Sequence, residues 1–478
     1  ATAMSECCPT VRGMTTDIFQ RLDLRGSSLT RTELAHKLPR AKVDIDVALE
    51  SVRPIIDRVR TEGASALRAL AETFDGVRPE HLRVPQEAID RAEADLSDEL
   101  RQALTMAIEH IRAGHEAQLP TPTQTQIVPG GVVRQRWIPV ERVGLYVPGG
   151  LAVYPSSVIH NVVAAQSAGV ADVALASPPQ KKFSGLPHPT ILAACKLLGI
   201  TEVYAVGGAQ AVAMFAYGAA GEPGTSDGDV LCEPVDVVTG PGNIFVAAAK
   251  RAVHGVVGID AEAGTTEIAV IADACANPEY VTADLLSQAE HDPAAASVLI
   301  TDSEEFADAC DAAIATQAET TKHSERVKTA LSGPQSGIVL VDDIDAAIDV
   351  ANAYCAEHLE IHTRDAAAVA SRIRNAGAIF VGPYTPVPLG DYVAGSNHVL
   401  PTGGTARFAA GLNVMVFIKP VQEIEYTRDA LASVQGSLTT IANDEDLPAH
   451  GDAIAVRIGQ ADTQKQPETQ PQPETEAQ

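Results

Sequence analysis

A repeated alternation of short β-branched runs with alanine-rich helical segments most constrains how this chain can fold. In the first half, residues 158–167 and 191–198 have a helical pattern, and each lies between two apolar runs. The runs predicted as strands in this half are 143–147, 173–176, 203–206 and 235–239. Such alternation is typical of parallel sheets that are covered by helices on both faces.

The same alternation returns in the second half of the chain. Residues 364–376 predict a helix that ends at Gly377, because glycine commonly takes the left-handed position just past a helix. The strands predicted here are 268–272, 298–301, 338–341, 358–363 and 379–381. The predicted fold class is therefore α/β, with two Rossmann-like units on incomplete, doubly wound parallel sheets and small helical extensions at both ends.

The segments outside this alternation differ in composition. Residues 42–141 are charged and helical in pattern, and we expect them to wrap around a sheet. The end of the chain is rich in Gln, Pro and Glu, a composition typical of disorder. The predicted organisation is a disordered N-terminus at 1–17, a small helical segment at 18–41, a first Rossmann-like domain from 42–145 and 268–409, a second at 146–267, a C-terminal arm at 410–459 and a disordered acidic tail at 460–478.

Charge and cysteine usage exclude several classes of protein. The formal net charge is -27 and no basic stripe is visible, which argues against nucleic-acid binding. The uncharged stretch 151–171 is interrupted by Pro155 and His160, so no membrane span is expected. The 7 cysteines include no CxxC pair, and Cys195, Cys275, Cys310 and Cys355 are interpreted as small core residues. With no secretory signal visible, these features predict a cytoplasmic protein.

The nucleotide-binding signal is indirect, since no GxGxxG follows any predicted strand. Three glycine-bearing turns instead follow strands, at 146–150, 206–210 and 239–243. Ligands of open α/β sheets bind at strand ends, where glycine lets the backbone approach them closely. Each turn also carries a side chain that could meet a ribose or phosphate, and these are Tyr146, Gln210 and Asn243. Ordinary strand-to-helix turns remain the alternative.

Polar residues in the second half could form a metal site. Asn277 and Pro278 begin a helix whose last turn presents Gln288 and His291 on one face. His291 could simply complement the helix dipole, or the two side chains could be half of a metal site. Further histidines and carboxylates follow in separate segments, a donor set that suits zinc. They are Glu357, His358, Asp391, His398, Glu445 and His450. With 13 histidines in the chain, chance clustering remains possible.

Several long motifs occur in a consistent order. They are GLYVPGG, VGGAQAVA, TGPGN, GTTE at 264–267, SQAEH at 287–291, AEHLE at 356–360, GDYVAGSNHVLPT from Gly390 and the closing Glu445 and His450 pair. On these motifs, the chain resembles the histidinol dehydrogenase family over roughly residues 18 to 459. Members of that family catalyse the last steps of histidine biosynthesis, oxidising L-histidinol through the aldehyde to L-histidine with two NAD and one water.

The resemblance implies a role for each motif residue. One zinc ion per subunit would be bound by Gln288, His291, Asp391 and His450, and would hold the substrate by its amine and imidazole nitrogens. Glu357 and His358 correspond to the catalytic acid–base pair. The remaining substrate contacts would come from Thr266, His398 and Glu445, and the NAD contacts from Tyr146, Gln210 and Asn243. The family is homodimeric, with the C-terminal residues Glu445 and His450 supplied to the partner's site.

Two features depart from the family pattern. Thr266 stands where serine is common, and 222–233 looks like an acidic insertion before the third glycine turn. The nearest alternative function is a related zinc and NAD dehydrogenase of a sulfonated or hydroxylated propanediol, which would have no need of Glu445 for a substrate ammonium. A zinc hydrolase, an aldehyde dehydrogenase with a cysteine nucleophile and a non-catalytic scaffold are less consistent with the motifs.

Overall fold

The elements follow the predicted alternation closely. The structure is a computed structural model that describes residues 18–41, 45–149, 153–262 and 264–459. The strands are β1 (Gln20–Asp23), β2 (Thr123–Val128), β3 (Gly131–Pro139), β4 (Arg142–Tyr146), β5 (Asp172–Ser177), β6 (Glu202–Ala205), β7 (Ala219–Ala220), β8 (Val230–Cys232), β9 (Val237–Thr239), β10 (Gly258–Ile259), β11 (Glu267–Ala272), β12 (Ala296–Thr301), β13 (Gly337–Leu340), β14 (His358–His362), β15 (Ala378–Val381) and β16 (Ile418–Tyr426).

The helices connect and cover these strands. They are α1 (Arg31–Lys37), α2 (Ile45–Glu62), α3 (Ala64–Phe74), α4 (Gln86–Ala94), α5 (Asp98–Glu116), α6 (Pro155–Ala168), α7 (Pro189–Leu197), α8 (Gly208–Tyr217), α9 (Ile244–Val253), α10 (Pro278–Ala289), α11 (Glu304–Thr320), α12 (Ser324–Ser332), α13 (Ile344–Tyr354), α14 (Ala366–Ala370), α15 (Val387–Tyr392), α16 (Arg428–Asp444) and α17 (Pro448–Gly459).

Two parallel sheets form the centre of the fold, so the α/β prediction is confirmed. One sheet has six strands in the order β1-β13-β12-β11-β14-β15, and the other has five in the order β10-β9-β4-β5-β6. In β11, Ile268 and Val270 face one hydrophobic core while Ala269 and Ile271 face another. Alternate residues of a strand point to opposite faces, so helices bury both sides of this strand. Its continuous apolar run is the expected sequence of a doubly covered parallel strand.

The assignment of residues to the two sheets differs from the predicted division in three places. Strand β1 belongs to the six-stranded sheet, although the prediction made 18–41 a small helical segment outside both domains. Strand β4 lies in the five-stranded sheet, although the prediction placed 42–145 with the other sheet. Helices α2 and α3 also belong to the core of the five-stranded sheet, through residues such as Val52 and Leu67. An amphipathic pattern shows which helix face is buried, but not which sheet buries it.

Two local predictions are wrong. The helix predicted over 364–376 is reduced to α14, and Gly377 is not in a left-handed conformation. The segment 42–141, predicted as helical, becomes strands β2 and β3 after α5. Strand β2 is exposed along most of its length, and its polar sequence TQTQIV lacks the apolar alternation that identifies a half-buried strand.

The chain divides into two compact units. The first holds residues up to 119 and 139–417, and it contains both parallel sheets. The second holds, among the described residues, 120–138 and 418–459, which include β16, α16 and α17. The predicted disordered segments 1–17 and 460–478 lie outside the described residues. Within the described ranges, no helix is both long and apolar enough to cross a membrane.

Candidate active site

The predicted acid–base pair lies at the amino-terminal end of the six-stranded sheet. His358 begins β14 and stands beside Ile268 of the neighbouring β11. The backbone at Glu357 is packed closely against Gly377, where an added Cβ would lie 2.5 Å from the Glu357 carbonyl oxygen. Close approach of two backbones therefore explains the glycine that we had interpreted as a helix terminus.

Glu357 is a buried carboxyl group held by two donors. Its Oε2 accepts hydrogen bonds from Thr266 Oγ1 at 2.6 Å and from the Glu267 backbone N–H at 2.9 Å. Burial raises the pKa of Glu357 to about 7, and these two hydrogen bonds oppose the rise because they favour the carboxylate. Glu357 can therefore gain and lose a proton near neutral pH.

Gln288 extends this network and leaves one oxygen free. Its Nε2 donates to Thr266 Oγ1 at 2.6 Å, so the Thr266 hydroxyl accepts from Gln288 while it donates to Glu357. Gln288 Oε1 is buried and has no hydrogen-bond partner among the described residues. Buried amide oxygens are nearly always paired, so this atom is available to a ligand.

His358 is positioned to act as a neutral base. Its Nδ1 lies 3.3 Å from the Glu267 carbonyl oxygen, which can only accept, so Nδ1 carries the proton. Nε2 then has a free lone pair, and within the described residues it has no hydrogen-bond partner. It lies 4.0 Å from Asp391 Oδ1. Burial lowers the pKa of His358, which keeps the imidazole neutral at neutral pH.

Asp391 is fixed through its backbone by two histidines. It lies on the short helix α15. Its carbonyl oxygen is 3.0 Å from His160 Nε2 and 3.2 Å from His398 Nδ1, and the two imidazole rings are stacked at 4.1 Å. Burial raises the pKa of the Asp391 carboxyl to about 6, and the neighbouring His358 opposes that rise.

Both nitrogens of His398 contact protein groups. Nε2 lies 3.1 Å from Ser157 Oγ, in addition to the Nδ1 contact with Asp391. Burial lowers the pKa of His398 to about 4, so the ring is neutral. Our sequence interpretation missed His160 and Ser157, although a histidine inside a helix rich in apolar residues was a usable signal.

The other predicted ligands differ in their surroundings. His291 follows α10 and is solvent-exposed, yet nearby protein displaces enough water to lower its pKa, and His358 lowers that pKa further. The predicted start of helix α10 is confirmed, because Asn277 caps the helix and Pro278 is its first residue. Glu445 directly follows α16 and His450 lies on α17, and both side chains are exposed and belong to the second unit.

The three glycine turns follow β4, β6 and β9 of the five-stranded parallel sheet. Tyr146 Oη accepts from the Gly208 backbone N–H at 3.1 Å, which links the first two turns. Gln210 is buried in the first turn of α8. Asn243 Oδ1 accepts from the N–H groups of Phe245 and Val246, so it caps α9. Tyr146 and Asn243 therefore have structural roles whether or not they meet a ligand.

The third turn is held by a buried ion pair. Gly240 has φ +125°, and an added Cβ would collide with the Tyr146 carbonyl oxygen. The Gly240 N–H donates to Asp260 Oδ2 at 2.9 Å, and its carbonyl oxygen accepts from Lys250 Nζ at 3.0 Å. Lys250 and Asp260 pair at 2.6 Å, with each side chain 2% exposed. This ion pair, which the sequence interpretation missed, fixes the backbone conformation of the turn at Gly240.

The segment 222–233, which we predicted to be an acidic insertion, includes strand β8, which pairs with β7. Arg68 donates to both carboxylate oxygens of Asp227, at 2.7 and 2.9 Å, and its Nη1 also contacts Glu222 at 2.7 Å. The bidentate geometry is the strong form of the arginine–carboxylate pair, so the insertion is anchored to α3.

Comparisons with known proteins agree with these motifs. A model of the family described as "Histidinol dehydrogenase" matches residues 38–458. A histidinol dehydrogenase of Thermobifida fusca is 58% identical over 447 residues, which is 94% of this chain and 99% of that protein. One of Mycobacterium tuberculosis is 57% identical over 440 residues, 92% of this chain and 98% of that protein. The crystal structure of histidinol dehydrogenase from Elizabethkingia anophelis superposes with a TM-score of 0.83 at 31% identity, covering 93% of this chain and 98% of that one. The chain therefore belongs to the histidinol dehydrogenase family of oxidoreductases.

Proposed function

We propose that this chain oxidises L-histidinol through L-histidinaldehyde to L-histidine, with two NAD and one water, in the cytoplasm as the last steps of histidine biosynthesis. The observation that carries this proposal is the pairing of a neutral, unpartnered His358 Nε2 with a buried Glu357 carboxyl. The relatives described above are named for histidinol, which favours that substrate over a propanediol.

His358 acts as the base that takes the proton from the substrate hydroxyl. Its Nε2 lone pair is free, and the Glu267 carbonyl holds the opposite nitrogen as the donor. A neutral imidazole in a buried site is suited to this task, because it accepts the proton without first losing one. Oxidation of an alcohol and of an aldehyde hydrate each releases a proton from oxygen, so His358 serves in both steps.

Glu357 activates the water that attacks the aldehyde. A carboxyl group with a pKa of about 7 is a stronger base than an ordinary glutamate and is still half ionised at neutral pH. Thr266 and the Glu267 N–H orient the carboxyl through Oε2. Thr266 and His398 complete the substrate contacts in this proposal.

Zinc fits the donors that surround this pair. Gln288 Oε1 is a buried oxygen without a partner in the described chain, and Asp391 and His291 supply a carboxylate and an imidazole. Such N and O donors suit zinc and, with His450, make up four protein ligands. When bound, one zinc per subunit would hold the substrate by its amine and imidazole nitrogens. Gln288 is already oriented for this by its hydrogen bond to Thr266.

NAD fits the carboxyl-terminal edge of the five-stranded sheet, where it would serve as the two-electron acceptor. Tyr146, Gln210 and Asn243 mark the three turns at that edge. Tyr146 Oη accepts from Gly208 and can still donate its own proton to a ligand.

The proposal includes a homodimer in which Glu445 and His450 complete the partner's site. Both side chains are exposed in this chain. The same unit also exposes apolar side chains, including Ile424 at 71% and Ile441 at 59%. Exposed apolar side chains of this kind suit a surface that another chain covers.

Separate measurement of the two oxidations tests the proposed roles. NAD reduction is followed spectrophotometrically with histidinol and with histidinaldehyde, for the wild type and two variants. Glu357→Gln should slow aldehyde oxidation by about 100-fold or more and slow the first oxidation much less. His358→Asn should slow both. Equal losses in both steps for Glu357→Gln would contradict the assignment of water activation to Glu357.

A further inference from the structure

A second polar cluster is buried between α10 and β14. Asp284 lies one helical turn before Gln288 on the same face of α10. Glu360 and His362 follow His358 at alternate positions of β14 and therefore share its face of the sheet. The cluster comprises Asp284, Glu360 and His362, and none of these residues belongs to the proposed zinc ligands.

The three side chains are close together and shielded from solvent. His362 Nε2 lies 3.3 Å from Glu360 Oε2 and 3.9 Å from Asp284 Oδ2. One ligand atom from each residue lies within 4.8 Å of the other two. Glu360 is 0% exposed, His362 5% and Asp284 8%. In the part of the chain that the structure describes, no other three His, Cys, Asp or Glu residues approach one another so closely.

Part of this cluster is not satisfied by protein groups, although the Asp284 and Glu360 carboxyls can share a hydrogen bond when one of them is protonated. Glu360 Oε1 accepts from the Val387 N–H at 2.9 Å. Glu360 Oε2 and both ring nitrogens of His362 have no hydrogen-bond partner within the described residues. No lysine or arginine of those residues pairs with Asp284 or Glu360 either. Leaving a buried polar atom unpaired is unfavourable, and leaving a charged one unpaired is more so, which is why unpaired buried atoms commonly mark a site that binds a ligand.

We propose that Asp284, Glu360 and His362 bind a divalent first-row transition-metal ion, separate from the zinc of the active site. Two carboxylates neutralise its charge, and an imidazole nitrogen selects against calcium and magnesium, which prefer oxygen ligands. At ligand distances of about 2.0–2.1 Å, tetrahedral ligands lie about 3.3–3.4 Å apart. The 3.3 Å between His362 Nε2 and Glu360 Oε2 already equals this ligand–ligand distance. Asp284 Oδ2, at 3.9 Å from His362 Nε2, needs only a small movement to reach it.

The location gives this ion a structural role near the active site. It joins α10, which carries Gln288, to β14, which begins with His358. Burial raises the pKa of Asp284 to about 8 and that of Glu360 to about 7, and it lowers the pKa of His362. Metal binding to these carboxyls therefore releases protons and becomes tighter as the pH rises.

Metal stoichiometry tests the site. The full-length protein is stripped with a chelator, reloaded with Zn²⁺, passed through gel filtration and analysed for zinc by mass spectrometry. We expect about two zinc ions per subunit for the wild type and about one for Asp284→Asn and for Glu360→Gln. Glu279→Gln is the matched control, because it removes the same charge from the exposed first turn of α10, and it should retain two.

The active-site variant His291→Ala separates the two sites. It should retain about one zinc, and the double variant Asp284→Asn/His291→Ala should retain almost none. One zinc in the wild type and none in His291→Ala would overturn the second site and leave the active-site zinc intact. Two zinc ions retained by Asp284→Asn and Glu360→Gln would also overturn it. A third outcome is a single zinc per subunit in the wild type that is lost in Asp284→Asn and retained in His291→Ala. That result would support the second site and refute the active-site zinc of the proposed function.

A spectroscopic titration tests the site with its three residues intact, so its result does not depend on whether the variants of this cluster fold. The stripped His291→Ala protein is titrated with Co²⁺, whose visible absorption reports coordination by nitrogen and oxygen ligands. We expect one saturable absorbing site per subunit with an intact cluster. No absorption above that of free Co²⁺ would overturn the proposal.

Discussion

At the scale of single residues, the Thr266 hydroxyl connects the groups that the proposed chemistry requires. It accepts from Gln288 Nε2 and donates to Glu357 Oε2, both at 2.6 Å. Serine could form both contacts, because they need only the hydroxyl group. The extra methyl of threonine restricts rotation about χ1 and so holds the hydroxyl in this orientation. The departure from the family pattern thus preserves the chemistry of the position.

Removal of this hydroxyl should shift the pH dependence of aldehyde oxidation. Glu357 acts as a base only when ionised, so the rate rises with pH through its pKa of about 7. The hydrogen bond from Thr266 favours the carboxylate, so Thr266→Val should raise that pKa and move the acidic limb upward by about one pH unit. The profile of kcat against pH with histidinaldehyde measures this shift. Thr266→Ser is the control, and its rate should rise over the same pH range as that of the wild type. If the rate of Thr266→Val also rises over the wild-type range, the hydroxyl does not lower the pKa of Glu357.

At the scale of elements, the turn after β9 depends on close backbone contact. Gly240 has a positive φ and packs against the Tyr146 carbonyl, while Lys250 and Asp260 hold its two backbone polar groups. Two adjacent strands, β4 and β9, therefore end in turns that contact one another. This contact sets the edge of the sheet at which we propose that NAD binds.

Two glycine-to-alanine substitutions separate steric contact from backbone strain. Gly240→Ala should destabilise the protein by about 3 kcal/mol or more, because the left-handed conformation and the collision with Tyr146 both oppose it. Gly199 also has a positive φ, at +75°, but nothing lies within 4 Å of an added Cβ, so Gly199→Ala should cost only about 1–2 kcal/mol. Thermal unfolding midpoints compare the two variants. Equal losses of stability would show that the contact with Tyr146 contributes little.

At the scale of the whole molecule, the proposed exchange of the C-terminal arm makes the active site a property of the dimer. Glu445 and His450 are exposed in this chain, on a unit that also exposes Leu447 and Val456. A site that needs residues from two chains loses activity when the dimer dissociates. This arrangement predicts complementation between inactive subunits.

Mixed dimers of two inactive variants should regain activity. His450→Ala and His291→Ala each remove a proposed zinc ligand, and under exchange a mixed dimer has one site with both changes and one with neither. Refolding equal amounts together should recover roughly a quarter of wild-type activity, since half of the dimers are mixed and half of their sites intact. Wild-type protein refolded in parallel is the control. If mixed dimers form, as shown by differently tagged subunits, but stay inactive, His450 acts within its own chain.

The sequence by itself determined the α/β class and the start of α10. Strands that are buried on both faces of a parallel sheet must be apolar along their length, so β11 and β12 are visible as continuous runs. The start of α10 is equally local, because Asn277 and Pro278 act on the first turn itself. The motif residues came from a resemblance, and their proposed roles at zinc, substrate and NAD remain predictions.

Only the tertiary structure decided which segments meet. Periodicity identifies a buried face but not its partner, so the association of α2 with the five-stranded sheet could not be read from its pattern. Strand β2 is held by pairing with β3 through its backbone, which leaves little trace in its polar side chains. The cluster of Asp284, Glu360 and His362 joins residues that are far apart in the chain. Their proximity depends on how α10 packs beside β14, and packing of distant segments is set by the whole core rather than by any local pattern.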